Sequence, residues 1–465
     1  MFLELPSDMS SNKKLFSNLN IVFFLFLTLF AGTTPLFAEK EISYDPYVSI
    51  LKYPEVNQIQ TAERRERNQL IARILEQPLR PIGYGMGRTA EWVEENRMDK
   101  KAIWLVDELS LHGIHPGLKF PTEGSFGTVG IKGQIELEKL FKWEQPYASF
   151  NVFGGWTPNQ DFSGSTVDLG GGYEIRIFKT PLSHISSVRY SRSSGESFSG
   201  IGQETSLGER SSYKPEELKL ESGLGYALAK TIEGSTTFVL QRMNIGNGNR
   251  ERVGKIKEHF PNASIPGIDG GDLIGLATSV MHDNRDNEND PKRGGYESVA
   301  FSYFHSVDGK ELHYLKVAGE VAHYFPLRSD RRVLALRVAA EKNQELGGGK
   351  IPFFNMSRLG GTDKSNGSEL LRSYRYNRFF EESLAVANAE YRYNVYEYGS
   401  FAGDFVALFD VGEVFEELGD FGFDKLKFSY GGGLNVKFHR KTFVSVTIAR
   451  GNEGWETGLR SKVPF

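Results

Sequence analysis

Over its last eleven residues the chain alternates. Trp455, Thr457, Leu459, Ser461, Val463 and Phe465 fall on one side of an extended strand, and Glu456, Gly458, Arg460 and Lys462 fall on the other. Successive side chains of a strand point to opposite faces, so such a segment presents one apolar face and one charged face. The pattern recurs upstream, where Asn388, Glu390 and Arg392 oppose Ala387, Ala389, Tyr391 and Tyr393. Asp404 and Asp410 likewise oppose Phe401, Phe405 and Phe409. A strand of this kind suits the wall of a transmembrane β-barrel, with lipid against the apolar face and a wet lumen against the charged one.

Extended along the chain, the pattern predicts an all-β fold, a sixteen-stranded antiparallel transmembrane β-barrel over residues 101–465. The approximate strand cores are 103–113, 125–138, 146–157, 165–178, 183–191, 213–228, 232–243 and 271–282, then 295–305, 312–325, 331–342, 383–395, 400–411, 424–437, 442–450 and 454–465. Connections after even-numbered strands are short, such as 179–182, 326–330 and 439–441. The long ones, roughly 192–212, 244–270 and 343–382, all follow odd-numbered strands. Outer-membrane barrels pair short periplasmic turns with longer external loops, so this parity puts both ends of the barrel on the periplasmic side.

The N-terminal part reads differently. Ile21–Phe30 is apolar, follows Lys13 and Lys14, and leads into small and turn-forming residues up to Ala38, which predicts a secretory signal peptide over residues 1–38. Residues 39–100 are expected to form a short helical periplasmic segment. One amphipathic helix is predicted over Thr61–Glu76, stopped by Pro78, and a second over Thr89–Asn96. Between them, Gly83 to Arg88 lacks the spacing of a phosphate-binding loop and reads as a turn.

Composition narrows the functional classes. With 51 Gly, 34 Phe and 20 Tyr the chain is supplied for tight turns and interfacial aromatic girdles. A mean hydropathy of -0.38 argues against a bundle of membrane helices but not against a barrel, whose lumen face and loops are polar. The net charge of -4 gives no basic footprint, so no nucleic-acid partner is expected. Zero cysteines remove disulfides and thiolate chemistry. Nine histidines without paired spacing and the absence of a G-x-S-x-G elbow leave a hydrolase or phospholipase unsupported, so no enzyme activity, cofactor or metal is expected. Asp283, Asp286, Glu288 and Asp290 could suggest calcium, but they lack the ligand spacing of a calcium loop and read as a solvated hairpin. The acidic run Glu413–Asp420 reads as a solvated external loop.

Several motifs carry a resemblance. Leu359-Gly360-Gly361-Thr362 followed by Leu371-Arg372-Ser373-Tyr374 resembles the G-G-…-V-R-G-[FY] signature of the inward-folded loop of BamA/TamA superfamily barrels, the bacterial surface antigen family. Asn388-Ala389-Glu390-Tyr391-Arg392 is similar to that family's N-x-E-[YF]-R strand, and Phe409-Asp410-Val411-Gly412 to its F-x-D-x-G strand. Asp283-Asn284-Arg285-Asp286-Asn287, with Pro291, Gly294 and Gly295, resembles its D-x-R-D-N…P-x-x-G hairpin. The motifs are specific over about 270–465 and the likeness is architectural upstream.

A connection of about forty residues stays compact only if something holds it, and Arg372 can grip carboxylates through its planar fork. Glu390 and Asp410, on the charged face of the next two strands, are the matching partners, and the resemblance implies the same bridge. Ser373 stands where the family usually has glycine. The resemblance further implies an outer-membrane location, contact with outer-membrane lipids, handling by the assembly machinery during biogenesis, and insertion or translocation of a periplasmic or secreted protein client. In the family that activity usually relies on periplasmic POTRA modules, and residues 39–100 are too short and too helical for one. A passive solute channel or a surface-exposed structural barrel is therefore the alternative. Phe465 matches the C-terminal signal read by barrel-assembly machinery. Its deletion is expected to lower the yield of heat-modifiable protein in outer membranes far more than deleting loop residues around Glu204, and equal yields would remove that role.

Overall fold

The computed structural model describes residues 108–460, apart from 110–111, 113, 120–128, 137–147, 158–165, 178–179, 194, 249–252, 261–264, 363–368, 399–400 and 439–440. The expected signal peptide, the segment 39–100 with its Gly83–Arg88 turn, and Phe465 lie outside the described residues.

The first strands are β1 (Ile114–Lys119), β2 (Val129–Glu136), β3 (Ala148–Thr157), β4 (Thr166–Arg176), β5 (Leu182–Arg192), β6 (Glu196–Phe198), β7 (Ser211–Ala229), β8 (Ile232–Asn247) and β9 (Gly254–Lys255). Then come β10 (Gly271–Asp283), β11 (Gly294–Ser306), β12 (His313–Leu327) and β13 (Ser329–Glu345). Four short strands follow: β14 (Ser357–Leu359), β15 (Gly361–Thr362), β16 (Glu369–Leu371) and β17 (Phe379–Glu381). The last are β18 (Ser383–Tyr398), β19 (Phe401–Phe415), β20 (Lys427–Phe438), β21 (Lys441–Gly451) and β22 (Gly454–Arg460).

One 18-stranded sheet contains all but the four short strands β14 to β17. Its long strands pair in chain order from β1 to β22, every pair antiparallel, with β6 and β9 attached to the outer end of β7. Among the described residues this series is open, because no pairing joins β1 to β22.

The period-2 pattern sorts the side chains as the sequence implies. Phe238, Leu240, Leu276, Val338, Phe409, Ile448, Trp455 and Leu459 face outward and are exposed. Arg337, Asn388, Glu390, Arg392, Asp404, Asp410, Asn435 and Lys437 are buried on the other face. An outer surface of large apolar groups around an interior of charges inverts the arrangement of a water-soluble protein, and only lipid outside can satisfy both.

Two expectations need correction. Within the expected first strand, 103–113, the described residues are not extended: Glu108 and Leu109 are helical and His112 is in a turn, and the first described strand begins at Ile114. The His112 ring bonds the Glu108 carbonyl at 2.8 Å, which holds this turn and delays the strand. The acidic run is likewise not all loop. Glu413 is buried within β19 and accepts from the Gly422 N–H at 3.2 Å, so solvation begins only at Glu416.

The long connections gather at one end, and there the core is apolar. Phe198 from 193–210, Ile256, Ile265 and Ile268 from 248–270, and Ile351, Phe353, Phe354, Met356 and Phe380 from 346–382 form one cluster. The cluster rests on Tyr213, Met243, Ile245, Leu273 and Tyr314 of the wall. Phe198 stands at its centre, edge-on to Phe260, Phe353 and Phe380 at 5.0–5.3 Å.

Candidate functional site

Connection 346–382 is a folded strap. β14 pairs with β17 and β15 with β16, so the segment runs out and back as a hairpin whose returning limb, from the end of β16 towards β17, carries residues 371–374. Asn343 fixes its neck, its Nδ2 donating to Ser357 Oγ at 2.9 Å and to the Glu382 carbonyl at 3.0 Å. Gly360 and Gly361 have φ of 115° and 67°. A Cβ at Gly360 would lie 2.5 Å from the Arg375 carbonyl oxygen, so the strap closes on itself only with glycine there. Leu371 and Tyr374 on the returning limb pack with Leu359 and Phe379 against Leu384, Val386 and Val414 of the wall.

Between these apolar side chains sits Arg372, fully enclosed. Its Nε donates to Asp410 Oδ2 at 2.9 Å, its Nη2 donates to Asp410 Oδ1 at 2.5 Å, and its backbone N–H reaches Asp410 Oδ2 at 3.1 Å. Its Nη1 donates to Glu390 Oε1. The other oxygen of Glu390 accepts from Arg392 Nε at 2.8 Å, and Asn388 Nδ2 donates to Asp410 Oδ1 at 2.9 Å. Two guanidinium groups thus meet two carboxylates, and the cluster is neutral. Enclosed charges are tolerated only when so balanced and hydrogen-bonded. Arg337 extends the network, donating to Asn388 Oδ1 at 2.9 Å and gripping Glu320 at 2.8 and 3.1 Å.

The structure therefore brings Arg372, Glu390 and Asp410 together. It also places Gly360, Gly361, Leu371, Ser373 and Tyr374 in the same strap. Ser373, in place of glycine, adds a contact that glycine could not make: its hydroxyl lies 2.6 Å from Ser429 Oγ on β20, beside the backbone N–H that donates to the same oxygen at 3.0 Å.

Sequence reasoning placed Asn388 and Arg392 on the inward face without giving them a role. It missed a second set of contacts. Arg378 donates to Glu453, in the turn joining β21 and β22, at 2.8 and 3.0 Å, and its Nη1 donates to Thr205 at 2.9 Å. Arg375 lies 3.5 Å from Glu456 of β22. Gln203 ties the 193–210 connection to its neighbours, accepting from the Val414 N–H at 2.9 Å and donating to the Lys425 carbonyl at 2.8 Å. No motif marks these residues, because each partner is supplied by a distant turn. Among the described residues no group of three or more His, Cys, Asp or Glu could hold a metal ion.

Residues 159–438 match the Omp85 superfamily domain, well over half of the chain. The chain belongs to the Omp85 superfamily. The matched stretch includes the strap, Arg372, Glu390 and Asp410. No curated protein matches the chain. Among solved structures, the fold is similar to BamA from Haemophilus ducreyi lacking POTRA domains 1–3, with a TM-score of 0.52 at 15% identity over 75% of this chain and 69% of that one. It is also similar to CdiB from Escherichia coli, with a TM-score of 0.50 at 12% identity over 75% of this chain and 62% of that one. This Omp85 protein is accordingly an outer-membrane β-barrel protein, which gives the exposed apolar side chains of the wall their lipid neighbours.

Proposed function

We propose that this Omp85 protein is a gated conduit that assists the insertion or translocation of polypeptides at the outer membrane, acting on a periplasmic or secreted protein client. The observation that carries the reading is the enclosed contact of Arg372 with Glu390 and Asp410, which holds a long strap inside the wall. A passive solute channel gains nothing from such a strap, and the apolar cluster over the long-loop end would obstruct it. The same geometry disfavours the alternative of a simple channel or structural barrel.

In this reading the sheet closes into a sixteen-stranded barrel. Setting aside β6 and β9, sixteen strands of the 18-stranded sheet follow one another in chain order, so joining β22 to β1 completes a cylinder with both ends on one side. That last seam would join the first and last strands of the series, β1 and β22, and is the place proposed to open sideways. The Arg378–Glu453 contact connects the strap to the hairpin bearing β22, so the position of the strap bears on that seam.

The protein has no native cysteine, so a cysteine pair placed in β1 and β22 reports on the seam alone. Oxidative crosslinking is expected to abolish client assembly in proteoliposomes, and reduction to restore it. Full activity of the crosslinked protein would remove lateral opening. An unchanged outer-membrane and secreted proteome in cells lacking the protein would remove the conduit reading as a whole.

A further inference from the structure

At the end opposite the strap, the connection between β10 and β11 is the longest of the described turns, and it is only in part the solvated hairpin its acidic sequence suggests: Asp286 and Glu288 are exposed. Asp290 and Pro291 are buried. Asp290 lies 2.5 Å from Lys437 Nζ, on β20, across 147 positions of sequence. In the sheet order β12, β13, β18 and β19 lie between β11 and β20. Five strand steps amount to roughly 24 Å along the wall. Residues 284–293 can make this contact only by leaving the wall and reaching into the interior.

The turn is built as a stiff arm. Asp286 accepts from the backbone N–H groups of Lys292 and Arg293 at 2.8 and 3.1 Å, and Asn287 accepts from those of Asn289 and Asp290 at 2.8 and 3.1 Å. Arg285 is clamped on Asp283 at 2.6 and 2.9 Å and lies over the Tyr296 ring. These bonds engage Asp283 and Asp286, while Asp290 is presented at the end of the arm.

We propose that residues 284–293 form a latch that closes the short-turn mouth of the lumen, held by Asp290 on Lys437 and released to open it. The charges around Lys437 make release inexpensive. Lys437 also pairs with Asp404 of β19, whose Oδ1 accepts from Asn394 at 3.0 Å. When the arm leaves, Lys437 keeps a carboxylate partner and Asp290 regains water. The Arg372 cluster differs, since departure of the strap would remove one of its two cations. The latch is therefore the releasable contact and the strap the retained one. Closure by the latch requires only the barrel; its use in passage of a client rests on the conduit reading above.

The test uses the full-length protein with a single cysteine, Ser445→Cys, in place of an enclosed serine on the inward face of β21. Ser445 pairs in register with Asn435, which pairs with Asp404, so the reporter lies in line with the latch contact. Asp290→Asn removes the ionic hold but keeps the Lys437–Asp404 pair. It is expected to raise the labelling rate by a water-soluble maleimide several-fold and to increase conductance in planar bilayers. Asp330→Asn, which breaks only the exposed pair with Arg293, is expected to change neither. Unaltered labelling and conductance in Asp290→Asn would overturn the latch. Faster labelling without any effect on client assembly would uphold the latch and count against the conduit reading alone.

Discussion

Arg372→Ala is expected to leave the barrel wall assembled while freeing the strap, seen as larger and noisier conductance in planar bilayers and as new external protease cleavage within residues 360–380. The wall is held by strand ladders that do not involve this side chain. The strap is held by hydrogen bonds that do. Removing one partner from an enclosed charged cluster costs on the order of 3 kcal/mol, because the groups left behind are already out of water. Here Glu390 keeps Arg392, so the deficit falls mainly on Asp410, which retains Asn388 as a donor. Arg372→Glu combined with Glu390→Arg is expected to restore part of the closed behaviour, limited by Asp410. Unchanged conductance and protease resistance in Arg372→Ala would show that the strap is held by its apolar contacts instead.

Truncating Phe198 should open the other barrier. Its ring is the common neighbour of Phe260, Phe353 and Phe380, which come from two further connections. Deleting such a side chain from an enclosed cluster costs roughly 3–5 kcal/mol through lost transfer energy and the cavity left behind. The cost falls on loop packing and not on the ladders. Phe198→Ala is therefore expected to remain heat-modifiable on gels and present in the outer membrane, yet to be cut by external protease within 196–210 and 351–359. Combined with Asp290→Asn it is expected to conduct more than either variant alone, since the two obstructions sit at opposite ends. Full protease resistance of Phe198→Ala would mean that the ring is not what unites the three connections.

The wall was legible in the sequence and the closures were not. Strand positions from 125 onward follow from a period of two, a local property that any long half-apolar strand must display, because a slip of one residue would turn its charges into lipid. The partnership of Arg372 with Glu390 and Asp410 was legible for a related reason: the alternation fixes which face those carboxylates occupy, and a resemblance of motifs supplies the arginine. The start of β1 was not, since the His112–Glu108 contact that delays it is a side-chain matter outside the alternation. Nor was the fate of Glu413, whose burial depends on a turn closing over it.

The sequence by itself determined that this is an outward-apolar, inward-charged all-β chain, and which residues face the interior. Only the tertiary structure decided that three separate connections share one apolar core, that Arg378 reaches the turn before β22, and that Asp290 meets Lys437. Those contacts join residues 75 to 182 positions apart at Arg378–Glu453, Asp290–Lys437 and Phe198–Phe380. Irregular connections have no period to reveal which way a side chain points. Their partners are chosen by the curvature of the sheet, which brings distant turns to the same end of the lumen.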